Sequence, residues 1–256
     1  MPLVIEASRD FVCIRLTTYE NKEEHAFMEK LYSKSKRPVE NTTFSILSHD
    51  AKHVFVTPSR GARFAFRNAD HMASTLFQIS SDYRNKLPMS HSKTLPIAAS
   101  VKIGLNIAAS DKQPLLVIVG KDEKEQKRLE TQMQTMIWKK GLIGKFALAS
   151  TTNNDTLDRI KDGDKLESGY HVIQPDNFGM KGEVLASIQS NATSSDAFSG
   201  IHKGLTLHQK PAEVNHRSHI QNGISSGVFW ETNLPVTDRM EARARQRTKQ
   251  MIEQAK

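Results

Sequence analysis

The pattern of apolar and polar positions divides the first third of the chain into short elements. Residues 11–16 (FVCIRL) form a β-prone run, and residues 20–32 follow with their apolar side chains on one helical face. Two more strand-like runs, 42–47 and 53–56, are separated by a polar segment of hairpin length, which predicts antiparallel pairing. Asn68 suits the N-cap of a helix that extends to about residue 83. The predicted order is strand, helix, strand, strand, helix.

A longer series of elements begins at residue 115. The run LLVIV at 115–119 is continuously apolar, which is typical of a central strand buried on both faces. A long helix follows, and its inner face is predicted to carry Leu129, Met133, Met136 and Ile137. The later elements are predicted as a strand at 146–149, a short helix from Asn154, a strand pair at 170–173 and 183–188, and a last helix capped by Ser194 or Ser195.

The remaining segments link or extend these two regions. Residues 88–113 are punctuated by prolines and predict a connection between domains, with a short helix or strand at 97–109. Residues 207–256 form a basic C-terminal extension that is expected to be ordered, because it contains too many large apolar residues for a solvated linker. In this extension Phe229 and Trp230 are expected to be buried, and Asp238 to Glu241 form a capping-box-like start of a terminal helix.

The first region repeats the last five elements of the second. An apolar first strand, a long helix and a later antiparallel hairpin followed by a helix together resemble the thioredoxin fold, over 115–205 in full and over 11–83 in truncated form. The resemblance implies an α/β protein with a tandem pair of thioredoxin-like units at 1–87 and 114–206, the first truncated at its N-terminus, and a mostly irregular tail that ends in a helix. Another α/β sandwich is the alternative.

The motif that gives this family its redox activity is missing. Redox-active members carry Cys-x-x-Cys at the start of the helix after the first strand, where the helix dipole lowers the pKa of a thiol. Here that junction is Gly120-Lys-Asp-Glu-Lys-Glu125, whose acids compensate the dipole. The proline that the family carries before its third strand is replaced by Glu40-Asn-Thr-Thr43 in one unit and by Glu167-Ser-Gly169 in the other. We therefore expect a redox-inactive binding or scaffold protein with a protein partner and no cofactor.

Cys13 is the single cysteine of the chain, which excludes an internal disulfide and every Cys-x-x-Cys site within it. Its position inside the β-prone run predicts a small buried hydrophobe. The alternative is a reactive thiol that forms mixed disulfides with a partner. Residues 1–6 suit the end of a first helix, as if the preceding strand and its cysteine-bearing turn had been removed upstream of Met1.

Histidines near the C-terminus offer a second function. His216 and His219 lie one helical turn apart if their segment is helical, and His208 is close in sequence. Neutral imidazoles are common ligands of zinc and copper, so these three residues predict a metal site, either of a metal-binding protein or of a metalloenzyme. Ordinary surface or hydrogen-bonded histidines are the alternative.

An arginine-rich face of the predicted terminal helix indicates a third function. Arg239, Arg243 and Arg247 recur every four residues of the predicted terminal helix, and the chain carries a formal net charge of +8 with a pI near 9.5. Such a stripe suits the phosphates of a nucleic acid or an acidic protein surface. A solvated helix face is the alternative.

Other classes of function lack their motifs. The glycines fit neither the dinucleotide-binding nor the P-loop spacing, and no Gly-x-Ser-x-Gly elbow is present, so the sequence leans against an enzyme. The apolar runs are far shorter than the roughly 20 residues of a membrane span. Because the N-terminus also lacks the pattern of a signal peptide, we expect a cytoplasmic protein without membrane contact.

Overall fold

A computed structural model describes residues 2–33, 38–40, 42–84, 94–212, 214–229 and 231–254; for residues 154, 155 and 216 it describes the backbone alone. The chain forms two compact units. The first unit consists of residues 1–91 together with 224–256, and the second unit consists of residues 92–223. Both helices and strands are present, so the α/β class predicted from the sequence is confirmed.

The elements follow one another along the chain as α1 (Pro2–Ser8), α2 (Lys22–Tyr32), β1 (Phe44–Leu47), β2 (Val54–Ser59), α3 (Ala62–Ala65), α4 (Ala69–Arg84), α5 (Val101–Asp111), β3 (Leu115–Val119), α6 (Glu123–Met136), β4 (Ala147–Thr151), two 3₁₀ turns (Asn154–Leu157 and Gly163–Lys165), β5 (Gly169–Pro175), β6 (Gly182–Gln189), α7 (Ser194–Leu207), α8 (His216–Ser225) and α9 (Arg239–Gln254).

The first unit contains the predicted hairpin. β1 and β2 pair antiparallel, with Phe44 opposite Ser59 and Leu47 opposite Val54. The N-cap prediction for α4 is also confirmed, since the Asn68 side chain accepts a hydrogen bond of 2.8 Å from the backbone N–H of His71. A small apolar cluster against this hairpin has four buried members, Ala7, Ile46, Phe66 and Leu76.

The strand predicted at 11–16 is wrong. These residues are irregular, and the side chains of Val12 and Ile14 are 70% and 77% exposed. β-propensity describes how well a residue fits a pleated surface, so it acts only where a neighbouring strand offers such a surface. Among the described residues no strand pairs with this segment. The first unit therefore lacks the opening strand of the predicted order.

The second unit is built on a four-stranded sheet in the order β4-β3-β5-β6. β3 is parallel to β4 and antiparallel to β5, and β5 is antiparallel to β6. The five residues of β3 are only 0–2% exposed, because helices cover both faces of the sheet. Leu116 and Ile118 pack with α6 and α7, whereas the three alternate residues pack with α5 on the other face. The predicted central strand is confirmed.

The predicted inner face of α6 is confirmed as well. Leu129, Met133 and Met136 are fully buried against the sheet. The start of α7 differs slightly from the prediction: its N-cap is Thr193, whose side chain accepts from the Asp196 N–H at 3.2 Å, in place of Ser194 or Ser195. Such shifts by one residue are common, because several neighbouring hydroxyl side chains suit an N-cap equally well.

The segment predicted as a connection, 88–113, contains α5. Val101, Leu105 and Ala108 of this helix are buried against the sheet, and the backbone N–H of Ala98 donates to the Leu148 carbonyl of β4 at 2.8 Å. The prolines that suggested a linker lie outside the helix, at positions 96 and 114. Residues 92–113 of this segment are therefore part of the second unit.

The predicted tail, 207–256, contains more regular structure than expected. It forms α8 as well as the predicted terminal helix α9, and residues 224–256 belong to the first unit. Backbone and side-chain hydrogen bonds connect it there, from Leu234 N–H to the Tyr19 carbonyl at 2.8 Å and from the Thr237 hydroxyl to the Val39 carbonyl at 3.2 Å. Phe229 is half-buried, while Trp230 lies outside the described residues.

Candidate functional site

An open cleft lies where β3 and β4 end, in the second unit. Its volume is about 460 Å³. Ligands of open α/β sheets bind outside the carboxyl ends of the strands, so this cleft is the best-placed candidate site of the unit. Its walls are formed by Val119, Gly120, Lys121, Thr152, Asp164, Lys165, Leu166, Glu167 and Ser168.

The floor of the cleft is the turn from β3 into α6. Asp122 is the N-cap of α6, and its carboxylate accepts a hydrogen bond of 2.7 Å from the Glu125 N–H. The Glu125 carboxylate in turn accepts from the backbone N–H of Lys121 at 3.2 Å. Gly120 is required here, because a Cβ at this position would lie 2.6 Å from the Gln126 backbone nitrogen. The acids at this helix start thus have the structural role expected of them.

Ser168 closes the cleft from the opposite side, just before β5. Its hydroxyl donates to Oε2 of Glu125 at 2.7 Å and lies 3.1 Å from the Val119 carbonyl oxygen. This hydrogen bond and the one from the Lys121 N–H lower the pKa of the Glu125 carboxyl. Arg128 lies 3.6 Å from the other carboxylate oxygen. Glu125 is therefore ionised and already bonded, and a carboxylate of lowered pKa is a weak general base.

The exposed rim of the cleft carries both signs of charge. Lys121 and Lys165 lie on it together with Asp164 and Glu167. Lys165 forms an ion pair with Asp162 at 2.6 Å. These groups suit the polar contacts of a bound molecule, and none of the cleft residues is a thiol.

His171 lies on β5, opposite Val117 of β3, and is 3% exposed. Its Nε2 lies 2.8 Å from the Glu167 carbonyl oxygen and its Nδ1 lies 3.0 Å from the Ser187 hydroxyl. The carbonyl requires a proton on Nε2, so Nδ1 accepts from the serine. Burial lowers the pKa of His171, which keeps the imidazole neutral. Both ring nitrogens of His171 therefore have hydrogen-bond partners within the second unit.

Two of the three histidines predicted to bind a metal, His208 and His219, have other described partners. His208 Nδ1 lies 2.8 Å from Oε1 of Gln174, and its Nε2 lies 3.3 Å from the Lys112 carbonyl oxygen. The His219 ring packs at 5.1 Å from the ring of Phe178, and the side chain of His216 lies outside the described residues. Within the described part of the chain no group of three histidine, cysteine or acidic side chains converges. The zinc or copper site stays a prediction, which metal analysis of protein purified without an affinity tag tests.

Cys13 is exposed, in the irregular segment 11–16. The prediction of a buried strand cysteine is therefore wrong, because the strand that was to bury it does not form. The alternative of a reactive thiol stays a prediction, since exposure makes the thiol accessible without making it nucleophilic.

The three arginines of the predicted stripe do lie together. Arg239, Arg243 and Arg247 are all exposed on α9. Asp238 caps this helix by accepting from the N–H groups of Met240 and Glu241 at 2.9 and 3.1 Å, which confirms the predicted start.

The sequence reasoning named Ser168 only as a residue standing in place of a proline. Its contact with Glu125 joins two segments that lie 43 residues apart in the chain. A polar residue two positions before a predicted strand was the signal that the sequence offered. As for membranes, none of the described helices is long and apolar enough to cross one. Comparison with known families, curated proteins and solved structures finds no match to this chain.

Proposed function

We propose that the second unit is thioredoxin-like and that the protein is a redox-inactive binding or scaffold protein that contacts a protein partner. The order of its elements supports this proposal. β3, α6, β4, a 3₁₀ turn, β5, β6 and α7 follow one another as the resemblance implies, with β3 parallel to β4 and the hairpin β5-β6 antiparallel. The 3₁₀ turn Asn154–Leu157 takes the place of the expected short second helix.

The turn between β3 and α6 is the observation that carries the redox-inactive part. In redox-active relatives of the proposed family a cysteine pair begins the helix at this place. Here Asp122 occupies the N-cap and Glu125 bonds to Ser168, so carboxylates use the positions from which a thiolate would act. The second unit has no cysteine at all, because Cys13 belongs to the first. Disulfide exchange requires a thiolate, so this site has no route to it.

The cleft supports binding in place of catalysis. Two lysines and two acids line it, and the Glu125 carboxylate that contacts its Ser168 is held by that hydroxyl and by a backbone N–H. Ionised groups that already have partners position a ligand better than they move its protons. A peptide segment that carries both charges fits this rim.

The reduction of insulin by dithiothreitol tests the redox part of the proposal. The full chain is expected to leave the rate at that of the blank, and clear acceleration would refute the proposal. The matched variant Lys121→Cys/Lys124→Cys places a Cys-x-x-Cys across the start of α6, where the helix N-terminus favours a thiolate. This variant is expected to accelerate the reaction. If it is folded by circular dichroism and yet inactive, the thioredoxin-like geometry of the junction is contradicted.

A further inference from the structure

Helix α9 has two faces of different chemistry. The inward face is occupied: Ile252 is buried, Asp238 caps the helix, and Arg245 forms an ion pair of 2.7 Å with Glu241. Both members of that pair are only about a quarter exposed. The inward face thus has its charges paired within the first unit.

The outward face carries unpaired positive charge. Arg239, Arg243 and Arg247 are exposed, and no ion pair joins any of them to a carboxylate in the described parts of the chain. Residues four apart rise by about 6 Å along a helix, so the three guanidinium groups form a row about 12 Å long. The acids of the helix lie elsewhere, with Glu241 on the inward face and Glu253 in the last turn.

Two methionines extend the same face. Met240 is 70% exposed and Met251 is 52% exposed, and their spacing of eleven residues returns to one side of a helix after three turns. Met and Arg are both enriched at protein interfaces, and the flexible thioether adapts to varied partner surfaces. Two exposed methionines beside an arginine row are a pattern that electrostatics alone does not require.

We propose that the outward face of α9, defined by Arg239, Met240, Arg243, Arg247 and Met251, binds an acidic amphipathic helix of a partner protein. Carboxylates four residues apart on that helix face the arginines as charge-assisted pairs, and apolar side chains at its two ends cover the methionines. This inference rests on the proposed role in protein contacts and adds the class of partner.

A nucleic acid fits the same face less well. Phosphates pair with arginine, but they leave the two thioethers in water, and the outward face has no aromatic side chain on which a base stacks. An acidic helix uses both features of the face. Nucleic-acid binding is therefore the competing outcome that the experiment has to separate.

The experiment measures binding of a synthetic acidic peptide to the full chain by fluorescence anisotropy, at about 150 mM salt so that distant charges are screened. The peptide has Glu at three positions four residues apart with Leu at both ends, over about 16 residues. A scrambled peptide of the same composition, whose carboxylates are spread around the helix, is the first control. Polyuridylate RNA serves as the nucleic-acid probe.

Three double variants are compared on this assay. Arg243→Glu/Arg247→Glu is expected to weaken peptide binding by at least about tenfold, as the loss of two charge-assisted pairs implies. Arg9→Glu/Arg67→Glu changes the net charge equally at exposed sites of the same unit and is expected to leave binding within about twofold. Met240→Ser/Met251→Ser is expected to weaken the peptide by about three- to tenfold and to leave RNA binding unchanged.

Three results would overturn the proposal. They are equal binding of the peptide and its scramble, equal weakening by both charge reversals, and RNA binding that is tighter than peptide binding and unaffected by the methionine changes. The insulin assay reports on the second unit and this assay on a helix of the first, so a failure of either proposal is recognised separately.

Discussion

The two units bury their apolar side chains to very different extents. In the second unit every residue of β3 is buried, and helices α5, α6 and α7 cover both faces of the sheet. In the first unit only Ile46 of β1 and β2 is buried, although both strands contain apolar side chains. A four-stranded sheet between two helical layers has an interior strand, whereas a two-stranded hairpin consists of two edges.

This difference explains which sequence patterns were reliable. A strand that is covered on both faces must be apolar at every position, so LLVIV predicted β3 without knowledge of its neighbours. In the first unit the apolar run FVCIRL is not covered on both faces by other elements, and it is irregular. We therefore expect the two units to respond unequally to matched substitutions.

The largest expected effect comes from truncating core leucines. Leu116→Ala leaves a cavity in the fully covered sheet and is expected to lower the free energy of unfolding of the second unit by roughly 3–5 kcal/mol. Leu76→Ala, in the smaller cluster of the first unit, is expected to cost roughly 2–3 kcal/mol, because its surroundings can relax.

Urea denaturation followed by hydrogen exchange, resolved for each unit, measures both changes. An equal or greater cost at Leu76 would contradict the contrast between the two cores.

Two glycine-to-alanine substitutions, one in each unit, compare how tightly the units are packed. Gly204→Ala places a Cβ 2.7 Å from the Cβ of Val172, so α7 must shift away from the sheet. The expected loss is about 1–3 kcal/mol of the free energy of unfolding, despite the better helix propensity of alanine. Gly61→Ala, in the first unit, meets nothing within 4 Å and is expected to change stability by no more than about 0.5 kcal/mol. Thermal melts of the two variants are compared, and a neutral Gly204→Ala would show that the interface of α7 is loose.

The buried histidine of the second unit predicts a dependence on pH. Because burial lowers the pKa of His171 below its usual 6.5, the unfolded chain takes up a proton before the folded one. The free energy of unfolding keeps its full value above pH 6.5. It falls as the pH drops through 6.5 towards the lower pKa of His171 in the folded state, by up to about 1.4 kcal/mol per pH unit.

His171→Gln keeps a donor for the Glu167 carbonyl and removes the titration, so its free energy of unfolding is expected to vary less in this window. His53→Gln, at an exposed position of the first unit, is the control. If both variants keep the full dependence, the effect belongs to other groups.

The smallest effect is expected at Cys13. Since the side chain is exposed, Cys13→Ser is expected to change the free energy of unfolding by less than about 0.5 kcal/mol. The wild-type thiol is expected to react with a maleimide at nearly the same rate in native buffer and in denaturant. Strong protection of the thiol in native buffer would contradict this exposure and support the buried strand that the sequence predicted.

The elements that the sequence predicted correctly depend on local or repeated signals. The β1-β2 hairpin, the inner face of α6 and the cap of α9 each follow from residues that lie close together in the sequence. The arginine row was predicted for the same reason, because a spacing of four is decided within the helix. Within segment 88–113 the short helix or strand predicted at 97–109 is the helix α5, and prolines outside that helix suggested a linker between domains.

The candidate site depended on contacts that local patterns do not contain. Ser168 meets Glu125 only because β5 pairs with β3, and that pairing joins distant parts of the chain. His208 is held by Gln174 and the Lys112 carbonyl, which no spacing among histidines indicates. Cys13 was misplaced because a strand needs a neighbour, and the sequence of six residues does not say whether one exists.

The discontinuous first unit has a consequence for the order in which the protein forms during translation. The ribosome synthesises residues 92–223 before 224–256, and domains fold as units while the chain emerges. The second unit can therefore complete its sheet while the first still waits for α9 and for the segment that bonds to Tyr19 and Val39. Until α9 leaves the exit tunnel, residues 1–91 remain a partial assembly whose apolar surface is incompletely covered.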